Sequence, residues 1–291
     1  MSICENRTVI VTGAGGGLGR AYALSFAAHG AAVVVNDIRL DAAQGVVAEI
    51  HGLGGRAIAS DGDITSMAGA QAIVDTALDA FGEVHVLVNN AGILRDRMFL
   101  SLTEEDWDAV MRVHLRGHFC LANVLGRRWR DAAKAGQAVD ARIINTSSGA
   151  GLQGSIGQSN YVAAKGGIAA LTLVQAAELA RYGVTVNCLA PAARTSMTEG
   201  AMPDMVKKPE SGFDVWDPMN VAQLVVWLGS PLSRHVTGRC FEAKGGEISV
   251  ADGWRTGEIV DKGARWSPAE LGNVIDALIE RGVPPQKVYG A

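Results

Sequence analysis

The sequence predicts an α/β fold in which a doubly wound sheet of seven parallel strands carries helices on both faces. Short β-branched runs alternate with longer stretches of helical periodicity along the chain. The run 32–36 is almost continuously apolar, as is typical of strands buried on both faces of a parallel sheet. Glycine accounts for 36 of the 291 residues, well above the usual share of about 7%, and a dense cluster of glycines directly follows the first run.

The elements follow from these patterns in chain order. The first run ends in glycines, and Leu18, Tyr22 and Phe26 then recur at helical spacing. The predicted strands are 8–12, 32–36, 56–60, 84–88, 142–146, 184–188 and 239–243. After the first helix, the predicted helices lie near 41–53, 66–81, 104–135, 158–182, 220–229 and 268–281.

Two segments depart from the repeating pattern. Residues 192–216 contain two prolines, three methionines, Phe213 and Trp216, and we interpret them as an insertion that forms a substrate lid at the sheet rim. The alternative is a surface loop packed on its own small core. Residues 245–291 follow the last strand as a C-terminal extension. Because no linker separates these parts, we expect residues 1–291 to form a single domain.

Composition narrows the possible functions. The chain has 26 Lys and Arg against 30 Asp and Glu, a formal charge of −4, which argues against a nucleic-acid partner. No fully apolar run approaches the roughly 18 residues of a membrane span, and the first residues lack the apolar stretch of a secretory signal. The four cysteines are scattered without metal-ligand spacing. We therefore expect a cytoplasmic protein with no membrane span and no metal.

A glycine-rich loop, Thr12–Gly19, joins the first strand to the first helix. Glycines here let the backbone approach a pyrophosphate, whose charge the free N–H groups of a helix N-terminus can bind. The spacing is T-G-x-x-x-G-x-G instead of the usual dinucleotide fingerprint G-x-G-x-x-G. A turn without a ligand is the alternative. The expected cofactor contacts are Gly13, Gly16, Gly17, Leu18 and Gly19.

Asp37 ends the second strand, 18 residues after Gly19. A carboxylate there can accept both hydroxyls of the adenosine ribose and would repel a 2′-phosphate, which favours NAD over NADP. Arg39 is the opposing signal, since an arginine can bind that phosphate. Asp37 could instead cap the following helix.

Two further segments follow strand ends, where ligands bind in such sheets. Asp63 and Ile64 come after the third strand and could contact adenine. Asn90, Ala91 and Gly92 come after the fourth strand, where small residues would let the chain pass close to the cofactor. Ordinary turn chemistry is the alternative for the asparagines.

The catalytic candidates are Ser148, Tyr161 and Lys165. Tyr161 and Lys165 are four residues apart on a predicted helix and therefore share a face. A nearby ammonium would lower the pKa of the tyrosine and make it a usable general acid or base. By itself such a pair is more often a packing or solvated pair. Ser148 ends the fifth strand at the same rim, where its hydroxyl could hydrogen-bond a substrate carbonyl.

These residues, in this order, resemble those of the short-chain dehydrogenase/reductase superfamily over nearly the whole chain. The resemblance rests on Thr12 to Gly19, Asn89 to Gly92, Ser148, Tyr161 and Lys165. It implies a Rossmann fold, hydride transfer to or from a nicotinamide, and a Ser–Tyr–Lys centre in which Lys165 also holds the nicotinamide ribose. It further implies a homodimer or homotetramer.

A closer resemblance is to the dehydrogenase part of peroxisomal multifunctional β-oxidation enzymes and their bacterial relatives. It rests on the segments 34–37, 92–97, 113–117, 157–161 and 190–199. His114 stands where most of the superfamily has an asparagine that supports proton relay, so it either takes part in the relay or only packs. The segment after Pro191 also departs from the superfamily, and Thr195 is the expected nicotinamide contact, with Ser196 as the alternative.

The sequence thus predicts an NAD-dependent oxidoreductase that interconverts a secondary alcohol and a ketone. The expected partner is a small-molecule substrate, an apolar secondary alcohol or ketone, and the resemblance favours a 3-hydroxyacyl-CoA thioester. A hydroxysteroid is the alternative substrate. An NADP-dependent 3-oxoacyl carrier-protein reductase is disfavoured by Asp37, and a catalytically silent NAD-binding scaffold is disfavoured by the intact Ser148, Tyr161 and Lys165.

Overall fold

A computed structural model of the chain describes residues 2–201, 203–251 and 253–291. Its centre is one sheet with the strand order β3-β2-β1-β4-β5-β6-β7-β8, in which only β8 is antiparallel to its neighbour. The strands are β1 Thr8–Thr12, β2 Ala32–Asn36, β3 Arg56–Ser60, β4 Val86–Asn89, β5 Ala141–Thr146, β6 Val184–Ala192, β7 Cys240–Lys244 and β8 Glu247–Ala251. The predicted doubly wound α/β fold is confirmed.

Helices cover both faces of the sheet. They are α1 Gly17–Ala28, α2 Leu40–Gly52, α3 Met67–Phe81, α4 Glu104–Met111, α5 Gly117–Lys134, α6 Gly149–Gln153, α7 Ser159–Leu179, α8 Ser196–Ala201, α9 Pro218–Gly229 and α10 Leu271–Arg281. The strand order turns outward in both directions from β1 and β4, which leaves a crevice at the carboxyl ends of these strands.

Alternation along the buried strands divides the core into two layers. Val9 and Val11 of β1 pack with α1 and α9 on one face, whereas Ile10 packs with α3 and α5 on the other. Val34 of β2 joins the layer of Ile10, and its neighbours Val33 and Val35 join the opposite one. Because both faces are buried, the strands read as continuous apolar runs in the sequence.

The prediction of seven strands, all parallel, is wrong by one strand. β8 lies within the predicted C-terminal extension and pairs antiparallel with β7. Gly245 and Gly246 form the two-residue connection, and Gly245 has φ +54°, the left-handed conformation that tight hairpins use. Ile248 and Val250 of β8 are exposed, so this edge strand lacks the apolar run that identified the buried strands.

The long helix predicted near 104–135 is not continuous. α4 and α5 are joined by a π-helical turn, Arg112–Arg116. Gly117 begins α5 against Ile64, whose Cδ1 lies 2.7 Å from the position that a Cβ on Gly117 would take. Single π turns occur frequently at functional sites, and this one carries His114.

α7 is unusually apolar. Together with the turn that follows it, residues Ser159–Tyr182, it is long and apolar enough to cross a membrane by length and composition alone. Polar residues interrupt this helix, so the sequence contains no purely apolar run that would indicate a membrane span there. In the structure α7 packs against β5, β6 and α6 and carries three buried polar side chains, Asn160, Lys165 and Thr172. The cytoplasmic location and the absence of a membrane span stay predictions.

The segment 192–216 crosses the rim of the sheet between β6 and α9. Arg194 holds its two ends together, because its backbone N–H donates to the Trp216 carbonyl at 2.7 Å and its guanidinium pairs with Asp214. Met197, Met205 and Phe213 are exposed. Met202, also assigned to the lid, lies outside the described residues. The interpretation as a substrate lid stays a prediction, as does the single-domain organisation.

Candidate active site

The predicted site residues meet at the carboxyl ends of β1, β4 and β5. The ladder pairs Val11 with Val88 and Asn89 with Asn145, so these strands end side by side. The glycine-rich loop follows β1, Asn90 follows β4 and Ser148 follows β5. The crevice therefore collects three of the predicted segments within one rim of the sheet.

The glycine-rich loop has the close approaches that its sequence predicts. Gly13 and Gly17 have φ +59° and +52°, conformations that favour glycine. A Cβ on Gly19 would lie 2.3 Å from the Gly13 carbonyl oxygen, whereas one on Gly16 would meet nothing within 4 Å. The loop is thus packed tightly on its inner side and open at Gly16, the N-cap of α1.

That open helix end fits a dinucleotide. Gly16 provides no side-chain cap for α1, and the first turn, which includes Leu18, holds no acidic residue. The first N–H groups of a helix seek an acceptor, and the helix dipole favours an anion there. A pyrophosphate would meet both needs.

Asp37 is almost fully buried beside this loop. Its Oδ2 accepts the Gly15 N–H at 3.0 Å and its Oδ1 accepts the Arg39 N–H at 3.0 Å. Arg39 itself is the residue that precedes α2, so Asp37 lies two residues before the N-cap position. The exposed Arg39 guanidinium approaches Asp37 to 3.5 Å. The carboxylate thus borders the loop where an adenosine ribose would lie.

Asp63 and Ile64 lie after β3 on the same side of the sheet. Asp63 is exposed, but its carboxylate accepts both the backbone N–H and the hydroxyl of Thr65, at 2.8 and 3.0 Å. Ile64 is buried beside Gly117. Both residues therefore also shape the turn that leads into α3.

Asn90 holds the glycine-rich loop to the end of β4. Its Nδ2 donates to the Thr12 carbonyl at 2.9 Å, and its backbone N–H donates to the Thr12 hydroxyl at 2.9 Å. The Ala91 N–H donates to the same hydroxyl at 3.1 Å. Thr12 was not among the predicted cofactor contacts. Its place at the head of the T-G motif was the available signal.

Ser148 and Tyr161 approach each other across the loop that separates α6 from α7. Ser148 is the N-cap of α6, and its Oγ accepts the Ala150 N–H at 3.2 Å. Burial raises the pKa of Tyr161 above its ordinary value, and a hydrogen bond with the Ser148 side chain lowers it in part. The Ser148 side chain therefore lies close enough to Tyr161 to favour its ionised form.

Lys165 lies beneath this pair and is fully desolvated. Its Nζ donates to the Thr146 carbonyl at 2.6 Å and lies 5.6 Å from the centre of the Tyr161 ring. Burial lowers the pKa of Lys165 to about 7. Burial is the largest cause at both residues, and the effect of the Lys165 ammonium on the tyrosine pKa stays a prediction.

His114 packs directly against the Tyr161 ring. The two rings meet edge to face with their centres 5.2 Å apart. The Nε2 of His114 lies 2.8 Å from the Ile93 carbonyl oxygen and 3.0 Å from the Ile93 nitrogen. Burial is the main cause that lowers its pKa to about 3, so its ring is neutral near pH 7. Gly92 leaves room for it, since a Cβ there would lie 2.3 Å from the His114 Cε1.

A polar network beneath the site was missed at the sequence level. His118 has its Nδ1 2.7 Å from the His114 carbonyl, and its Nε2 accepts the Thr146 N–H at 3.3 Å. Asn145, fully buried in β5, accepts a hydrogen bond from Asn89 and donates to Thr172. The signal was available, because polar residues inside apolar strand runs require partners.

Thr195 lies beside the glycine-rich loop. Its Cγ2 is 3.4 Å from the position that a Cβ on Gly17 would take. Its backbone N–H donates to the Thr198 hydroxyl at 2.8 Å, so the start of α8 folds back on it. This arrangement brings the segment after β6 to the side of the crevice that carries the glycine-rich loop. In the described ranges, no group of three or more His, Cys, Asp or Glu could hold a metal ion.

Comparison with known proteins is consistent with this geometry. The family model of the short chain dehydrogenases matches residues 7–206. A hydroxyacyl-CoA dehydrogenase of Mycobacterium tuberculosis is 45% identical over 280 residues, covering 92% of this chain and 86% of the relative. The chain belongs to the short-chain dehydrogenase family. It is an oxidoreductase, and its family binds a nicotinamide dinucleotide.

Two further relatives extend the comparison. The peroxisomal multifunctional enzyme type 2 of Mus musculus is 43% identical over 262 residues, which are 86% of this chain and 32% of the mouse protein. A crystal structure of a short chain dehydrogenase from Mycobacterium avium is 55% identical, with a TM-score of 0.92 over 99% of this chain and 100% of that one. The predicted family resemblance is confirmed.

Proposed function

We propose that this oxidoreductase interconverts a 3-hydroxyacyl-CoA thioester and its 3-oxo counterpart with NAD as the cofactor. The observation that carries the proposal is the approach of Ser148, Tyr161 and Lys165 next to an open dinucleotide loop. The similarity to a relative named hydroxyacyl-CoA dehydrogenase, over almost the whole of both chains, supports this substrate class.

The choice of NAD rests on Asp37. Its buried carboxylate borders the loop at Gly15, where a 2′-phosphate on the adenosine ribose would meet a like charge. The Arg39 guanidinium approaches that carboxylate to 3.5 Å, so part of the positive charge of Arg39 is already paired. The balance of charges therefore favours a ribose with free hydroxyls.

We assign the remaining cofactor contacts to the residues that line the crevice. The loop would hold the pyrophosphate, Asp63 and Ile64 would border the adenine, and Thr195 would contact the nicotinamide carboxamide. Asn90, Ala91 and Gly92 would let the chain pass along the cofactor, and Lys165 would hold the nicotinamide ribose. When bound, the nicotinamide supplies the hydride acceptor or donor.

In the oxidative direction, Tyr161 acts as the general base. As a phenolate it accepts the hydroxyl proton of the substrate, while hydride leaves the carbinol carbon and the C–O bond becomes a carbonyl. Ser148 orients the substrate oxygen and stabilises the phenolate through its hydrogen bond. The neutral His114 ring fixes the orientation of the Tyr161 ring from its edge. Because these groups are held in place, the bound substrate is already oriented for reaction, which lowers the entropic part of the activation barrier.

The decisive experiment is Tyr161→Phe, assayed by NADH absorbance with a panel of hydroxyacyl-CoAs and hydroxysteroids. We expect wild-type turnover with hydroxyacyl-CoAs and NAD⁺, and a loss of about 10³-fold in the variant because general acid–base catalysis contributes about that much. NADH should still bind. Substantial turnover by Tyr161→Phe would refute the catalytic role, and activity confined to steroids would refute the substrate class.

We also propose that the enzyme works as a homodimer or homotetramer. α5 and α7 leave Phe119, Leu173 and Val174 half exposed on their outer faces. Apolar side chains grouped on neighbouring helices are typical of surfaces that associate. Sedimentation velocity at micromolar concentration tests this, and a monomer would contradict it.

A further inference from the structure

We infer that the C-terminal tail, residues 288–290, forms one wall of the substrate site and that Tyr289 determines which groups fit beside Ser148. The inference rests on the proposed catalytic role of Ser148 and Tyr161. The tail lies outside the part of the chain that the family model matches, residues 7–206.

The tail is held to the loop between α6 and α7 by backbone hydrogen bonds. The Ile156 N–H donates to the Tyr289 carbonyl at 3.0 Å, and the Tyr289 N–H donates to the Gly154 carbonyl at 3.2 Å. These bonds form a parallel bridge between Ser155 and Tyr289. The loop that the tail contacts connects Ser148 with Tyr161, the two residues that bracket the reacting carbon.

Glycines in the loop make room for the side chains of the tail. A Cβ on Gly149 would lie 2.9 Å from the Tyr289 Oη and 3.5 Å from its Cε2. A Cβ on Gly154 would lie 3.3 Å from Val288 Cγ2. The phenol ring of Tyr289 therefore stands over the residue directly after the catalytic serine, in space that any larger residue at position 149 would take.

Tyr289 has surface left for a ligand. About half of its side chain is exposed, as is about half of Ile156 beside the tail. Among the described residues, none forms a hydrogen bond with the Tyr289 hydroxyl. The ring lies beside Gly149, the residue after Ser148, and together with Ile156 it presents apolar surface that suits an alkyl substituent on the carbinol carbon. A branched or cyclic substituent there would collide with the ring.

The test compares Tyr289→Ala and Tyr289→Phe on linear and branched secondary alcohols, drawn from the substrate class that the wild-type enzyme oxidises best. We expect Tyr289→Ala to shift the ratio of kcat/KM between branched and linear substrates by about tenfold, the scale of small steric changes in apolar pockets. Tyr289→Phe keeps the ring and should retain the wild-type ratio. NADH affinity should not change, and Trp254→Ala, which removes a fully exposed aromatic of the same extension, is the matched control.

Gly149→Ala provides an independent route to the same effect. Its methyl would displace the Tyr289 hydroxyl, so it should shift the substrate ratio as Tyr289→Ala does. In the double variant it should add little, because residues in contact are not additive. Full additivity would overturn the contact between these two residues.

Docking of the tail is measured without any substrate. Deletion of residues 285–291 should speed hydrogen exchange at the Ile156 amide, which loses its acceptor. Unchanged exchange would show that the tail is not docked. If neither the 285–291 deletion nor Tyr289→Ala changes the ratio of kcat/KM between branched and linear substrates, the tail does not form a wall of the substrate site. Failure of the proposed function is distinguishable, because the wild-type enzyme would then oxidise other alcohols but no hydroxyacyl-CoA.

Discussion

The Nζ of Lys165 lies 5.6 Å from the centre of the Tyr161 ring and gives its hydrogen bond to the Thr146 carbonyl instead of to the phenol. Burial is consequently the main influence on the pKa of both residues. It raises the pKa of Tyr161 and lowers the pKa of Lys165 to about 7. The free enzyme near neutral pH therefore holds a neutral phenol, which suits ketone reduction, and oxidation requires that phenol to lose its proton.

The pH profile of the oxidative reaction should reflect this. Because the pKa of Tyr161 is raised, kcat/KM for alcohol oxidation should keep rising with pH through the alkaline range. Ser148→Ala removes the hydrogen bond that lowers this pKa, so the rising limb should move to higher pH while the rate falls by about 10²-fold. Ser148→Thr, which keeps a hydroxyl, is the control. If the rising limb of kcat/KM stays at the same pH in Ser148→Ala, Ser148 does not influence the pKa of Tyr161.

Cofactor preference should depend on Asp37. Asp37→Ser removes the carboxylate that a 2′-phosphate would face and leaves Arg39 free to pair with that phosphate. Removing a like-charge contact, which costs several kcal/mol, should improve kcat/KM for NADP⁺ by at least about tenfold.

The matched variant is Asp37→Ser combined with Arg39→Ala, in which the gain for NADP⁺ should shrink because the phosphate loses its partner. Both variants are assayed with NAD⁺ and NADP⁺ at saturating alcohol. If Asp37→Ser leaves the ratio of the two cofactors unchanged, Asp37 does not select the ribose.

The strands and the glycine-rich loop could be predicted because their signals are local. A strand buried on both faces is a run of apolar residues, and a loop that must pass close to its neighbours needs glycine at fixed positions such as Gly13 and Gly19. The predicted catalytic residues are equally local, because Tyr161 and Lys165 lie on one helix and Ser148 follows the end of one strand. The fold class and the residues that form the crevice can therefore be predicted from local sequence patterns alone.

Other features depend on contacts between distant segments. β8 has exposed apolar residues and no buried run, so only its pairing with β7 reveals it. The π turn around His114 spans only five residues between two α-helices, too few to change the helical pattern of the surrounding sequence. The direction of the Lys165 ammonium depends on the Thr146 carbonyl, and Tyr289 docks more than 100 residues away in sequence. No local pattern carries this information.

Acid sensitivity should arise in part from His114. Its folded pKa, about 3, lies below its ordinary value of 6.5. As the pH falls, His114 is therefore protonated in the unfolded chain at a higher pH than in the folded protein. This stabilises the unfolded chain, and the free energy of unfolding decreases between pH 6.5 and 3. This should amount to roughly a few kcal/mol, since one pKa unit is about 1.4 kcal/mol.

His114→Asn should therefore flatten the acid limb of stability against pH, measured by urea unfolding at a series of pH values. Some acid sensitivity should remain, because burial also lowers the pKa of His118 well below its ordinary value. His51→Asn, at an exposed position, is the control and should leave the curve unchanged. An acid limb of equal steepness in His114→Asn would contradict the assignment.

The ion pair of Arg194 with Asp214 should keep the segment 192–216 closed. Both side chains are largely buried, and the pair holds the end of β6 against the residues before α9. The guanidinium lowers the pKa of Asp214, so the pair is intact at neutral pH and is lost as acid protonates the carboxylate. Asp214→Asn should open the segment at neutral pH, raise KM for the substrate several-fold and also weaken NADH binding, because the segment carries Thr195, the proposed nicotinamide contact.

Limited trypsin digestion provides the physical measurement. Lys207 is exposed within the segment, and Asp214→Asn should speed cleavage after it because local opening exposes the backbone to the protease. Asp204→Asn removes an exposed carboxylate from the same segment and should change neither cleavage nor KM. Equal cleavage rates in Asp214→Asn and wild type would mean that the pair does not close the segment. Faster cleavage with an unchanged KM would mean that the segment does not cover the substrate.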